Sequence, residues 1–196
     1  MIAYKFLQAG GLGPFSGFAW PHAGEWVSGR ISACRASDLP IWLHEELWVA
    51  ELDGAVEEGR TKLVATRGRL LRQVPEWTQV TAGEMALACA RRTRGHAATV
   101  LRASGMGSVA ELLQAFALDE LPDAEKLVPH SGTRVRNAIG YACDAANAAM
   151  TGTAAAAAYV ATIAAQHAAD APAAAARERA WQARWMRDRL SLERTA

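Results

Sequence analysis

The chain has 196 residues, and its 21 Lys and Arg side chains nearly balance 20 Asp and Glu, which leaves a formal net charge of +1. A chain of this length can bury a hydrophobic core, and so small a charge argues against a general polyanion binder, so we do not expect nucleic acid as a partner. Three cysteines, Cys34, Cys89 and Cys143, lie far apart without CxxC spacing and are typical of buried, reduced thiols in a cytoplasmic protein. Neither a secretory leader nor an apolar run of about 20 residues occurs, so we expect neither export nor membrane spanning.

The first part of the chain carries strand patterns around a glycine-rich segment. Residues 2–8 alternate between two faces and predict a first strand. Residues 10–24 hold five glycines and two prolines and predict a long loop, whose aromatic side chains we expect to fold back onto the sheet. Two short strands are expected at residues 25–27 and 31–35.

The next stretch, residues 38–53, predicts a short helix that runs into a buried strand. Asp38 fits the N-cap and Pro40 the first turn, where no intrahelical N–H is needed. From Leu47 the apolar pattern changes to a period of two, and Gly54 is expected to end the strand. We expect the indoles here and in the preceding loop to lie near a binding site: Trp20, Trp42 and Trp48.

A long strand with one interruption is predicted for residues 61–74. Gly68 lies inside it and indicates a bulge or a bend. On the neighbouring strand, Glu51 is the acidic residue that we expect Arg67 to meet.

Helical patterns replace the strand pattern beyond Trp77. Capping boxes at residues 81–84 and 108–111 mark two helix starts, and the first helix is expected to break near Gly95. Three further helices are predicted: one with an apolar stripe over residues 135–150, an alanine-rich one past Gly152, and a last one ending near Leu190. The fold class is therefore α+β, with a small, mainly antiparallel sheet part (1–77) and a bundle of four to five helices (78–196). We expect the two parts to form one compact unit with a pocket at their seam.

Several segments together resemble a family of uncharacterised bacterial proteins that is common in actinobacteria: YKFL, GPFSGFAWP, ACRASDLPIWLHEELWVAELDG, KLVATRGRLL and ERAWQARWMRDRL. The resemblance covers nearly the whole chain, and the N-terminal half is also similar to a domain of unknown function in phage and bacterial proteins. It implies a GxHAC-type segment near Cys34, where this chain has Ser32 in place of the histidine. The resemblance implies no activity, substrate or cofactor.

Two groups of polar residues in the sheet part are candidates for chemistry. His44 and Glu45 place an imidazole beside carboxylates, which suits acid–base catalysis, although a solvated cluster at a helix–strand junction has the same pattern. Lys5, Arg67 and Arg69 can line a sheet face and bind an anionic group, or pair instead with neighbouring acids. No metal site is expected, because His44 lacks an HExxH partner and the other histidines are scattered.

The last helix carries a second kind of candidate, an aromatic and arginine edge at helical spacing: Arg177, Trp181, Arg184 and Trp185. Arginine stacks on indole at this spacing, and such edges are typical of protein interfaces, whether internal or between chains. The leading hypothesis is therefore a protein-binding or assembly factor without chemistry of its own, which binds a partner or a second copy through this helix. The alternative is an enzyme or small-molecule binder that uses the seam with His44, Glu45, Lys5 and Arg67. No cofactor is expected in either case.

Overall fold

The predicted α+β class is confirmed by a computed structural model that describes residues 1–192. The chain divides into two units. Residues Met1–Thr81 and the segment that follows Gln182 form the sheet unit, and Ala82–Gln182 form the helical unit. The segment after Gln182 therefore groups with the sheet, although its sequence pattern is purely helical.

Four antiparallel strands make up the sheet, in the order β1-β3-β4-β2: β1 (Ile2–Leu7), β2 (Val27–Ala33), β3 (Glu46–Glu58) and β4 (Leu63–Gln73). Cys34, the residue that follows β2, also pairs with Tyr4 of the other edge strand, β1. Tyr4 N–H donates to Cys34 O at 2.9 Å, and Cys34 N–H donates to Tyr4 O at 2.8 Å. The sheet therefore curls until its edges touch at one point, and this closure leaves fewer unpaired backbone groups at its edges.

Small and branched apolar side chains form the buried core of the sheet. Ala3, Ile31, Leu52 and Leu63 belong to one buried cluster, against which the indole of Trp20 packs. Trp20 therefore folds back from the loop as predicted, whereas Phe15 and Phe18 are 84% and 43% exposed, so the prediction is wrong for these two rings.

Glycine lets two strands of the sheet approach closely at Gly68. A Cβ there would lie 2.7 Å from Cγ2 of Ile31, so no larger residue fits without movement. The pairing of β3 with β4 shifts register elsewhere, between Val49 and Ala50 and again between Asp53 and Val56.

The predicted end of the third strand at Gly54 is wrong. β3 continues to Glu58, because Gly54 adopts a φ of +78° within the second register shift and lets the strand pass through it. These shifts also correct the predicted ion pair. Arg69 pairs with Glu51 at 2.7 Å, whereas Arg67 pairs with Asp53 at 3.4 Å.

Five α-helices and two short 3-10 helices account for the other regular elements of the described residues. The 3-10 helices span Ala36–Ile41 and Leu121–Leu127. The α-helices are α1 (Gln79–Ala103), α2 (Gly107–Ala115), α3 (Thr133–Met150), α4 (Ala154–Ala169) and α5 (Pro172–Arg189). In the helical unit, alanines from α3 and α4 are buried in large number, which permits the close helix packing that small side chains allow.

Three helix starts differ from their predicted capping residues. The capping box predicted at residues 108–111 is wrong, because α2 begins at Gly107 and its N-cap, Met106, makes no side-chain capping bond. Asp38 lies inside the first 3-10 helix and pairs with Arg35, the residue at its N-cap. For α1, Thr78 Oγ1 accepts the N–H of Thr81 at 3.2 Å, so the cap lies three residues before the predicted one. The predicted break at Gly95 is also wrong, because α1 is a continuous helix of 25 residues.

Candidate functional site

A small cavity lies in the sheet unit beside the contact between Tyr4 of β1 and Cys34. Its volume is about 120 Å³, and we call it the edge cavity. Its walls come from residues 4–6 of β1, residues 32–34 at the end of β2 and residues 13–16 of the glycine-rich loop, together with Trp42 and Lys62. The closure of the sheet thus brings together segments that lie far apart in sequence.

Aromatic rings form much of the cavity wall. The indole N–H of Trp42 donates to Thr61 O at 2.7 Å, which fixes the orientation of the ring. Phe15 contacts Trp42 edge to face, with 6.0 Å between ring centroids, yet 84% of Phe15 is exposed. Single exposed apolar side chains are common on proteins. Phe15 differs from such a side chain in that it also lines a cavity.

Lys5 supplies the most unusual polar group of the edge cavity. Its Nζ donates to Ser32 O at 2.7 Å and contacts Ser32 Oγ at 3.1 Å, and it lies 5.7 Å from the ring centroid of Trp20. Burial lowers the pKa of Lys5, and Coulombic repulsion from Lys62 lowers it further, while the Cys34 thiol acts in the opposite direction. No carboxylate of the described residues forms an ion pair with it.

Cys34 also lines the cavity, and its thiol is buried. Its Sγ donates to Tyr4 O at 3.4 Å, and burial raises the pKa of the thiol to about 12. A thiol that stays protonated at neutral pH is unreactive, so Cys34 acts as a small buried side chain.

The structure places the four predicted catalytic candidates at separate positions, and only Lys5 lines the edge cavity. His44 O accepts the indole N–H of Trp77 at 2.8 Å, and Nδ1 of His44 is buried without a hydrogen-bond partner among the described residues. Glu45 accepts the backbone N–H of Ala9. The guanidinium of Arg67 stacks on Trp26, 4.6 Å from its ring centroid.

The predicted binding residues of the sheet unit have three different roles. Trp42 forms a wall of the edge cavity, and Trp20 packs under the ammonium of Lys5. Trp48 donates from its indole N–H to Glu46 at 3.0 Å and does not line the cavity.

In the helical unit, the predicted edge of α5 contains a buried ion pair. Glu178 is 1% exposed and accepts two bonds from Arg92 Nε, at 2.8 and 3.0 Å, and a third from Nη2 at 2.6 Å. His96 Nε2 lies 3.2 Å from the same carboxylate, and the guanidinium of Arg92 stacks on Trp181 at 4.1 Å. Burial acts to raise the pKa of Glu178, but the bonds from His96 and Arg92 outweigh it, so the pKa is lowered.

This cluster has the features of an ion pair that stabilises the fold, because Arg92 and His96 satisfy the hydrogen-bonding capacity of the Glu178 carboxylate. Of the other predicted residues on α5, Arg177 lines a cleft of about 340 Å³ beside Glu178, Arg184 is exposed and Trp185 is half-buried. The predicted protein partner of this helix stays a prediction.

Sequence reasoning missed Ser32, Phe15 and Lys62 as site residues. The sequence singled out Ser32 only as the position where the family resemblance implies a histidine. In the structure, its carbonyl oxygen accepts a hydrogen bond from Lys5. A pattern along the chain gives no signal for the other two, because their common location depends on how the sheet closes.

Comparisons with protein-family models, with curated proteins and with solved structures find no match. The resemblance to a bacterial family stays a prediction. Among residues 1–192, no three His, Cys, Asp or Glu side chains form a group that would hold a metal ion. Each helix in that range is too short or too polar to cross a lipid bilayer.

Proposed function

We propose that the sheet unit binds a small organic molecule in the edge cavity. The observation that carries this proposal is an aromatic-walled cavity with the amine of Lys5 on its surface and no acidic side chain in its lining. Ligand sites in proteins combine mostly apolar walls with a few polar groups that fix orientation, and a titratable group perturbed by burial is common in them. Both features meet at this one place in the sheet unit.

The size of the cavity limits what it can hold. Its volume of about 120 Å³ is well below the roughly 300–1,000 Å³ of sites for drug-sized ligands. A cavity of roughly 150 Å³ in a protein core takes one benzene molecule. The ligand is therefore about one substituted ring in size, and a nucleotide or a dinucleotide cofactor is too large to be enclosed.

This proposal has more support from the geometry than the predicted assembly role of α5. Trp181, the central indole of that edge, is half-buried and stacks on Arg92 within its own unit. The aromatic ring with the greatest exposure at a cavity mouth is instead Phe15.

Titration of the full chain with single-ring compounds, followed by ¹H–¹⁵N NMR spectra, tests the proposal. Sodium benzoate and benzamide are suitable probes, and we expect shifts at the backbone amides of Lys5, Ser32 and Cys34. Absence of shifts with both of these probes and with benzylamine at millimolar concentration, or shifts confined to other residues, would refute it.

A pair of exposed aromatic substitutions provides the matched control. Phe15→Ala removes one cavity wall, and a lost ring contact worth about 0.5–1.5 kcal/mol weakens binding roughly two- to tenfold. Tyr159→Ala removes a ring that is 68% exposed on α4 and should leave binding unchanged. Both sites are exposed, so neither change should unfold the protein.

A further inference from the structure

We infer that the ligand of the edge cavity is an anion, a ring that carries a carboxylate, and that Lys5 and Lys62 are its cationic partners. This inference rests on the proposed function and adds the chemical class of the ligand. Two lysines line the cavity, and no Asp or Glu does.

Several arginines of the sheet unit have ion pairs, and the cavity lysines do not. Arg35 pairs with Asp38 and Glu58, and Arg67 and Arg69 of β4 each pair with an acid on β3. Arg72 of β4 also lacks an ion pair among the described residues, but it is exposed. Neither cavity lysine has an ion pair within residues 1–192, although Lys5 is largely buried from solvent. Burial of a cation without an opposite charge costs free energy, which an anion beside it offsets.

The donor count of Lys5 leaves room for such an anion. An ammonium group has three N–H donors, and the carbonyl and hydroxyl oxygens of Ser32 account for two of them. The third donor has no acceptor among the described side chains. A carboxylate oxygen on that side would receive a charge-assisted bond, while the aromatic walls contact the ring.

The charge of the lining also decides between ligand classes. A cationic ring would be repelled by both lysines and finds no carboxylate in the walls. A neutral ring gains the aromatic contacts but leaves the third donor of Lys5 unsatisfied. An anionic ring satisfies both requirements.

Three probes of the same ring size separate these classes: sodium benzoate, benzamide and benzylamine. With the full chain at constant ionic strength, we expect benzoate to bind at least tenfold more tightly than benzamide, and benzylamine to bind most weakly. Equal affinity for benzoate and benzamide, or tighter binding of benzylamine, would overturn the anionic class and leave the small-molecule function standing. Failure of all three to bind would overturn the function and this inference together.

Two substitutions locate the charge that matters. Lys5→Met should reduce benzoate affinity to the level of benzamide and change benzamide affinity less than twofold, which also shows that the cavity is intact. Lys62→Met changes an exposed lysine and should weaken benzoate several-fold. Lys126→Met removes an exposed lysine of the helical unit and should leave benzoate affinity unchanged. Benzoate affinity that survives both cavity substitutions would contradict the inference.

Discussion

The buried carboxylate of Glu178 allows a stability prediction whose size can be worked out from its contacts. Glu178→Gln keeps the shape of the side chain but removes its charge and turns an amide NH₂ toward the guanidinium of Arg92. Removing one partner of a buried ion pair typically costs about 3–5 kcal/mol. Because the Arg92 side chain is 35% exposed, water can hydrate part of its charge, so we expect a smaller cost of about 2–3 kcal/mol.

For a chain of this length, each kcal/mol lowers the melting temperature by about 2–4 °C, so Glu178→Gln should lower it by about 4–12 °C. Differential scanning calorimetry measures this shift. Asp123→Asn is the matched control, because the Asp123–Lys126 pair is 71% and 78% exposed, and exposed pairs contribute about 0–1 kcal/mol. If Glu178→Gln lowers the melting temperature no more than the control does, the buried Arg92–Glu178 pair does not stabilise the fold as its geometry predicts.

Three further predictions follow from burial and backbone geometry. Although burial acts to raise the pKa of Glu178, the bonds from His96 and Arg92 hold it below its ordinary value of 4.5. The free energy of unfolding of the wild type should therefore decrease as the pH drops below 4.5. Urea unfolding at several pH values should show that Glu178→Gln lacks this decrease. Gly54→Ala should cost about 1–3 kcal/mol in urea unfolding, because its Cβ would lie 2.2 Å from Thr66 Oγ1, whereas Gly10→Ala, at a similar positive φ in open space, should cost less. The pKa values of Cys34 and Cys89, raised to about 12 by burial, should make both thiols react with a disulfide reagent only after unfolding, and fast labelling of the native chain would contradict their burial.

The sequence predicted the elements of this fold better than their ends. Periods of two and 3.6 residues persist over whole strands and helices, so the α+β class and the order of its parts were accessible. The position at which a strand or helix ends depends on single residues, and such a residue is often compatible with more than one local structure. Gly54 is typical of a strand end, but within a bulge it lets the strand continue. Thr78 and Thr81 are both residue types that cap helices. Only the hydrogen bond from Thr81 N–H to Thr78 Oγ1 shows that Thr78 caps α1.

The sequence identified some residues of the candidate site by their chemistry, but it did not show which residues come together around the edge cavity. Lys5 and Trp42 were identified from their chemistry, and both line the edge cavity. Their neighbours were not, because the bond from Lys5 to Ser32 spans 27 residues and forms only through the contact of the two sheet edges. The predicted partner of Arg67 was wrong for a similar reason, since two register shifts between β3 and β4 decide which charges face each other.

Lys5 and Glu178 are both buried charges, and the contrast between them gives the last test. Glu178 has opposite charges around it, whereas Lys5 has none within the described residues, so its charged form destabilises the native state. Burial lowers the pKa of Lys5 in the folded protein below its ordinary value of 10.5. Between the lowered pKa and 10.5, the unfolded chain binds more protons than the folded protein does. The free energy of unfolding of the wild type should therefore rise with pH over this range. Lys5→Met should lack this rise and should be at least as stable as the wild type at neutral pH, while binding benzoate less tightly. If urea unfolding shows Lys5→Met to be less stable by more than about 1 kcal/mol, the ammonium is a structural link to Ser32 rather than a cation kept for a ligand.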